Sequence, residues 1–186
     1  VGLLIGTPVL TGALLRLPAG LLTDKYGGKA VFIVLMLLSA IPMYLLSMAT
    51  EYWHFIVASL GFGLTGASFA VGVAYTSIWF DKKHQGTALG IFGAGNSGAA
   101  LTSLFAPTLL TRLTAGGEQL DAWRTLPKLY AAVLLVMTIV FAMGAFSRKP
   151  IQTKTHGMRD RLAPLKHMRV WRFGLYYFLT FGGFVG

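Results

Sequence analysis

The chain has 186 residues, of which 55% are hydrophobic and only 12% are charged, whereas soluble domains carry about 25% charged residues. This composition nearly excludes a soluble globular domain, and the absence of cysteine excludes disulfides, zinc-thiolate sites and cysteine nucleophiles. The formal net charge of +10 leaves two kinds of partner open, a nucleic acid or a membrane surface, and the positions of the basic residues decide between them.

Long uncharged stretches along the chain predict membrane-spanning helices. A spanning helix needs about 20 mostly apolar residues, and the uncharged stretches between residues 30 and 147 each supply about that number. The predicted spans are about 3–22, 30–49, 54–79, 87–111 and 128–147, and a further span starts within 171–186. The sequence therefore predicts an all-α integral membrane protein.

The polar segment 148–170 divides the predicted chain into two parts. Residues 1–147 form one helix bundle, the segment itself is a linker rich in basic residues, and 171–186 begin a second bundle. The chain opens at Val1, without Met, in an apolar run that lacks the basic leader of a signal peptide. We therefore expect it to be a fragment of a longer protein.

Basic residues collect on one side of the predicted bundle. By the positive-inside rule, Lys and Arg near the ends of spans mark the cytoplasmic side. Twelve of them lie in or beside the loops 23–29, 81–86 and 148–170, against three on the other side, so these loops are predicted to be cytoplasmic. Charges divided among three loops, without interleaved aromatic residues, favour contact with the lipid bilayer, and we expect no nucleic-acid partner.

A glycine-rich segment at 93–98 has the spacing G-x-G-x-x-G of a dinucleotide-binding turn. That fingerprint needs a preceding strand and a following helix, whereas this segment lies inside a predicted span. Small residues let helix backbones approach closely in lipid, so helix packing is the better interpretation. The small residues at helical spacing along one face are Gly86, Gly90, Gly93 and Ser97, and the preceding span has a similar set, Gly61, Gly63, Gly66 and Gly72.

Arg16 is the one charged residue deep inside a predicted span. It precedes Asp24 by eight residues, so at 1.5 Å per residue it lies about 12 Å from the cytoplasmic end. A charge at this depth is costly and usually marks a substrate or ion pathway. Arg16 could bind an anionic substrate through its planar guanidinium, or pair with an acid from another segment. Pro18 could kink the helix beside it.

Two further residues share the depth of Arg16. Asn96 lies ten residues from Gly86, and Phe69 lies eleven residues from Phe80, which places each about 15 Å from the cytoplasmic end. Asn96 could donate to an oxyanion or bond a neighbouring helix, and Phe69 could line a site or only pack. No Ser-His-Asp set, carboxylate pair or metal-ligand spacing is found. The sequence therefore predicts neither an enzyme nor a cofactor or metal site.

Several motifs resemble those of one transporter family. The segment Gly20–Lys29 resembles the G-x-L-x-D-x-x-G-x-[RK] loop between the second and third helices of the major facilitator superfamily. Other segments together resemble the nitrate/nitrite porter family within that superfamily: Arg16–Pro18, Gly66–Ala70, Gln85–Gly90, Gly93–Gly98 and Tyr177–Gly183. The resemblance covers essentially the whole chain.

The resemblance implies a twelve-helix secondary transporter of the bacterial inner membrane, in two six-helix halves with the substrate between them. This chain would hold helices two to six, the central loop and the start of helix seven, so helix one would be missing. Arg16 would clamp nitrate and Asn96 would donate a hydrogen bond to it. Phe69, Tyr177 and Phe181 would line the pocket.

The resemblance also implies gating roles for helix five and for the first cytoplasmic loop. Asp24 would belong to the latch that holds the outward-open state. The glycines of helix five would let it pass close to its neighbours and slide as the halves rock, and these are Gly90, Gly93, Gly95 and Gly98.

One departure from the family pattern concerns ion coupling. Many proton-coupled members of the superfamily carry R-x-x-x-G in helix four, where this chain has Ser59–Gly63, and no predicted span contains a carboxylate. Nitrate/nitrite exchange and proton-nitrate symport both stay open, with protons as a candidate coupling ion, and we expect a monomer. Two alternative functions stay open as well: a carrier for another small anion such as formate or oxalate, and a non-transporting membrane receptor or scaffold.

Overall fold

The computed structural model describes residues 2–114, 119–148 and 163–185, and within these ranges it contains helices and no strand. The α-helices are α1 (Gly2–Tyr26), α2 (Gly28–Leu46), α3 (Tyr52–Ser77), α4 (Lys82–Ala94), α5 (Ser97–Leu113), α6 (Thr125–Gly144) and α7 (Met168–Val185). Two short 3-10 helices cover Leu120–Arg124 and Ala163–Lys166. The predicted all-α class is confirmed.

Four helices of the described part are long and apolar enough to cross a membrane. They are Gly2–Tyr26, Gly28–Leu46, Tyr52–Ser77 and Asp121–Gly144, and they lie over the spans predicted at 3–22, 30–49, 54–79 and 128–147. The chain divides into two compact units, residues 1–150 and 151–186. The second unit contains α7 and is described by itself; residues 149–162 of the predicted linker lie outside the described ranges.

The first two predicted cytoplasmic loops are shorter than expected because helix continues into both of them. Helix α1 runs through Asp24 to Tyr26, and only Gly27 separates it from α2. Gly27 has a φ of 89° and a ψ of 150°, a conformation open to glycine and strained for other residues. Its N–H still donates to the carbonyl oxygen of Thr23 at 2.9 Å, so the helix ends at this residue. In the second loop, α4 starts at Lys82, directly after Asp81.

The span predicted as one helix at 87–111 is instead two helices, α4 and α5. The chain keeps right-handed helical angles at the junction, with φ and ψ of −57° and −22° at Gly95 and −62° and −18° at Asn96. Here the hydrogen bonds run to the third preceding residue, from Gly95 to Phe92, from Asn96 to Gly93 and from Gly98 to Gly95, each at 3.0 Å. The junction is therefore a 3-10 tightening, at a place where closely spaced glycines weaken the α-helix.

The closest helix crossing joins α1 to α3. A Cβ at Gly12 would lie 3.2 Å from the carbonyl oxygen of Gly63, and a Cβ at Gly66 would lie 3.3 Å from the Cα of Gly12. A Cβ at Gly63 would overlap the side chain of Thr11. Two backbones this close exclude larger residues, and close van der Waals packing of this kind holds helices together in lipid.

A small core continues from this crossing along the bundle. Ala19 of α1 joins residues of α2 and α3 in one buried cluster, whose other members are Val31, Leu35, Ala67 and Val71. Since Gly12 meets Gly63 and Gly66 while Ala19 joins Ala67 and Val71, α1 and α3 run in parallel. Helix α2 also packs against α6, so α2 connects α6 to the α1–α3 pair.

Candidate functional site

Arg16 lies on the side of α1 that packs toward α3. At about 100° per residue, it is within about 60° of the buried positions Gly12, Ala19 and Thr23. Arg16 follows Gly12, which crosses Gly63 and Gly66 of α3 (the glycine crossing), by about one turn, and it precedes Ala19 by less than one turn. Arg16 therefore lies beside residues 66–71 of α3. The glycine crossing therefore sets the distance between the Arg16 backbone and α3.

The guanidinium of Arg16 is partly withdrawn from solvent. The residue has intermediate exposure, and its Nε atom is buried without a hydrogen-bond partner among the described residues, although the residue interacts elsewhere. Arg16 stands ten residues before the end of α1 at Tyr26, or about 15 Å along the helix axis. The depth of this charge in a membrane stays a prediction.

Phe69 lies on α3 between the face that meets α1 and the face that meets α4. It is offset by about 60° from Gly66 on one side and from Gly72 on the other. The Phe69 ring is half-buried, and its centroid is 5.6 Å from that of Phe92 on α4, with the two ring planes tilted by 35°. The Phe92 ring also covers Gly72, where a Cβ would overlap it.

Phe92 is a residue that the sequence analysis missed. It couples α4 to α3 through two contacts, the ring of Phe69 and the bare backbone of Gly72. Little in the sequence indicates this role, because a single phenylalanine among the glycines of a predicted span does not recur at helical spacing. Only the arrangement of α3 beside α4 shows that Gly72 makes room for the ring.

Asn96 is exposed and occupies the 3-10 junction between α4 and α5. It follows Phe92 by four residues, about one helical turn, so the contact of Phe92 with Phe69 fixes the segment that carries the Asn96 amide. The Asn96 side chain makes no capping hydrogen bond to α5. The structure thus brings Phe69 and the Asn96 segment to one side of α3, at the level along α3 where α1 places Arg16.

The glycines of the α4–α5 segment present an open surface. Within the described residues nothing lies within 4 Å of a Cβ built at Gly90, Gly93 or Gly98, and one at Gly95 meets only the carbonyl oxygen of Phe92 at 3.0 Å. Their role in helix packing and gating stays a prediction. The close glycine contacts between helices in the described part involve α3, either through the glycine or through its neighbour.

The remaining predicted site residues do not belong to the cluster of Arg16, Phe69 and the Asn96 segment. Asp24 is exposed in the last turns of α1. Tyr177 is exposed on α7 in the second unit, and the side chain of Phe181, on the same helix, lies outside the described side chains. Among the described residues, no group of three or more His, Asp or Glu side chains could hold a metal ion.

The Phe92–Gly72 contact gives a test of this arrangement. Gly72→Ala places a methyl group into the Phe92 ring, so we expect a loss of about 1 kcal/mol, the low end of the usual overpacking cost. Phe92→Ala in the same protein removes the overlap and should recover part of that loss, which a double-mutant cycle by thermal unfolding measures. Gly86→Ala is the matched control, because nothing lies within 4 Å of a Cβ there. Equal effects of Gly72→Ala and Gly86→Ala would contradict the contact.

Comparison with known proteins identifies the family to which the chain belongs. A sequence model described as Major Facilitator Superfamily matches residues 1–186. The chain is 42% identical over 181 residues to a probable nitrate/nitrite antiporter, NarK1, of Thermus thermophilus, with 95% of this chain and 41% of the relative covered. It is 30% identical over 185 residues to a nitrite extrusion protein of Bacillus subtilis, with 100% and 45% covered.

A third relative is a probable nitrate/nitrite transporter, NarK2, of Mycobacterium tuberculosis, which is 32% identical over 190 residues, with 98% of this chain and 45% of the relative covered. The chain spans less than half the length of the curated relatives named here. No solved structure matches it.

Proposed function

The chain belongs to the major facilitator superfamily, and we propose that it serves a secondary active transporter that moves nitrate, nitrite or both across the cell membrane by alternating access. Arg16 is the observation that carries the proposal, because it is a guanidinium in the middle of an apolar helix, on the side that packs toward α3. A charge in that position is costly unless it serves a ligand or an ion partner. The names of the relatives support nitrate and nitrite as the ligands.

The chemistry of the side chains fits a small planar oxyanion. A guanidinium presents parallel N–H donors that match two oxygens of one anion. The Asn96 amide supplies a further donor from the junction of α4 and α5, and the Phe69 ring supplies an apolar wall that keeps water from competing. We propose that Tyr177 and Phe181 also line the substrate pocket of the full-length transporter.

The relative movement of the two halves of the transporter is proposed to involve the α4–α5 segment, which corresponds to helix five of the family, and the cytoplasmic end of α1. The open glycine surface of the α4–α5 segment offers a face along which another helix can slide, and it carries Gly90, Gly93, Gly95 and Gly98. Asp24 is proposed to belong to the cytoplasmic latch. We propose a monomer that works either by nitrate/nitrite exchange or by proton-nitrate symport.

Anion competition tests the substrate. In proteoliposomes of the full-length protein, we expect nitrite to inhibit uptake of labelled nitrate strongly, and formate and oxalate to inhibit it weakly at equal concentration. A guanidinium binds nitrogen oxyanions and carboxylates alike, so this expected order of inhibition follows from the names of the relatives and competition decides it. If either carboxylate competes as well as nitrite, the protein is a carrier for small carboxylates. If no anion is transported at all, the receptor or scaffold alternative gains.

A further inference from the structure

We propose that a groove between the C-terminal ends of α3 and α6 binds an anionic phospholipid from the cytoplasmic leaflet. The groove has a volume of about 510 Å³, within the range of about 300–1,000 Å³ that small-molecule sites occupy. Its walls are mostly aromatic and apolar, and the residues that line it are Tyr75, Thr76, Trp79, Phe80, Phe141, Gly144, Ala145 and Phe146.

The walls of the groove are held in place by contacts between the two helices. The hydroxyl of Tyr75 donates to the carbonyl oxygen of Phe146 at 2.6 Å. The Tyr75 ring also meets Phe141 and Trp79 edge-on, each with a centroid separation of 6.1 Å. A cleft shaped by these contacts exists before a ligand arrives, so an acyl chain that enters it loses little free energy to rearrangement of the protein.

Basic side chains stand at the mouth of the groove. The guanidinium carbon of Arg148 lies 5.3 Å from the centroid of the Trp79 ring, which is part of the wall. Lys82 and Lys83 are exposed in the first turn of α4. Only Asp81 separates them from Phe80, which lines the groove. Arg148 with these two lysines, which follow the lining residues along the chain, outnumbers the carboxylate of Asp81, so net positive charge accompanies the apolar cleft.

The arrangement of charge and apolar surface selects the occupant. The positive-inside rule puts this end of the bundle in the cytoplasm, where anionic lipids give the leaflet a negative surface potential that attracts Lys and Arg. A free phosphate would use only the basic mouth, and a zwitterionic lipid such as phosphatidylcholine would bring its own cation against that mouth. A phospholipid with a negatively charged headgroup uses both the mouth and the cleft, with its phosphate beside Arg148 and part of an acyl chain against the aromatic walls.

Native mass spectrometry of the purified full-length protein tests this proposal. We expect phosphatidylglycerol to bind more tightly than phosphatidylcholine with the same acyl chains. Arg148→Gln should weaken the binding of phosphatidylglycerol about fivefold, which is the usual effect of losing one basic residue near an anionic surface. Arg112→Gln is the matched control, because Arg112 is exposed in the last turn of α5 and lines no part of the groove.

A second variant tests the cleft without removing any charge. Gly144 lines the groove and has nothing within 4 Å of a Cβ among the described residues, so a side chain can start there without a clash and Gly144→Leu should occupy part of the groove. It should reduce phosphatidylglycerol binding while the melting temperature and nitrate transport stay at the parental level. That result supports the groove independently of the transported anion.

Several outcomes would overturn the proposal. Equal binding of phosphatidylcholine, or equal losses with Arg148→Gln and Arg112→Gln, would reduce the effect to general surface charge. Displacement of the lipid by glycerol 3-phosphate at similar concentration would indicate a free-phosphate site instead. Absence of any bound phosphatidylglycerol on the full-length protein would mean that another segment covers the groove.

Discussion

Replacement of Arg16 by alanine should reduce nitrate transport by roughly 100-fold or more. A charge-assisted hydrogen bond contributes about 1.5–3 kcal/mol, and the proposed site holds the anion through two of them from one guanidinium, so their loss exceeds a factor of 100 in affinity. No other Lys or Arg lies inside the spans predicted between residues 3 and 111 to replace this charge. Uptake of labelled nitrate by proteoliposomes of the full-length protein measures the change.

The conservative variant separates shape from charge at this position. Arg16→Lys keeps the positive charge but lacks the planar fork, so it should also transport poorly, with a raised KM where residual activity can be measured. Arg112→Ala, an exposed basic residue at the end of α5, should transport normally and controls for folding and insertion. Parental rates in the Arg16→Ala protein would exclude Arg16 from the anion site, and normal rates in Arg16→Lys would show that only charge matters there.

Alanine at Gly63 should destabilise the bundle by about 1–3 kcal/mol, the usual cost of an overpacked contact. A Cβ there overlaps Thr11 and lies 2.8 Å from the backbone nitrogen of Gly12, and a backbone atom cannot move aside as a side chain can. Helices α1 and α3 must therefore separate. Because Arg16 follows Gly12 by one turn, the separation should also raise the KM for nitrate. Thermal unfolding and transport assays of the full-length protein measure both effects.

A graded series makes this second prediction specific to the crossing. Gly66→Ala should cost less than Gly63→Ala, because its Cβ would lie 3.3 Å from the Cα of Gly12 and needs only a small adjustment. Gly6→Ala should cost nothing, because the described residues leave its Cβ position open. The expected order of melting temperatures is Gly6→Ala above Gly66→Ala above Gly63→Ala. A different order would mean that these helices do not cross at the glycines.

Much of the fold could be predicted from the spacing of charged residues, because one physical requirement determines where membrane-spanning helices lie. An apolar stretch long enough to cross the bilayer must be helical to satisfy its backbone, and so the spans at 3–22, 30–49, 54–79 and 128–147 could be placed without knowledge of their neighbours. The motif that begins at Gly20 carried the resemblance to the superfamily, and the segment at 93–98 together with Arg16 carried that to the nitrate/nitrite porters, which the relatives confirm.

The details that the sequence did not yield depend on contacts between helices. The ends of α1 and α4 were misplaced because charged residues were taken as loop, whereas Lys25 is favourable in the last turn of a helix and extends it. The 3-10 junction at Gly95 and Asn96 leaves no trace in hydropathy. Phe92 gains its role only from Gly72 and Phe69, which belong to a different helix.

The 3-10 junction between α4 and α5 has a mechanical consequence, because a change of helical type at the junction rotates and shifts one helix relative to the other. Each residue that changes between the α and 3-10 patterns turns the following helix by about 20° and changes its length by about 0.5 Å. Two such residues would rotate α5 by about 40° and advance it by about 1 Å, while Phe92 keeps α4 fixed against Phe69. Asn96 lies at this junction, so a small change in backbone pitch there would redirect its amide together with α5.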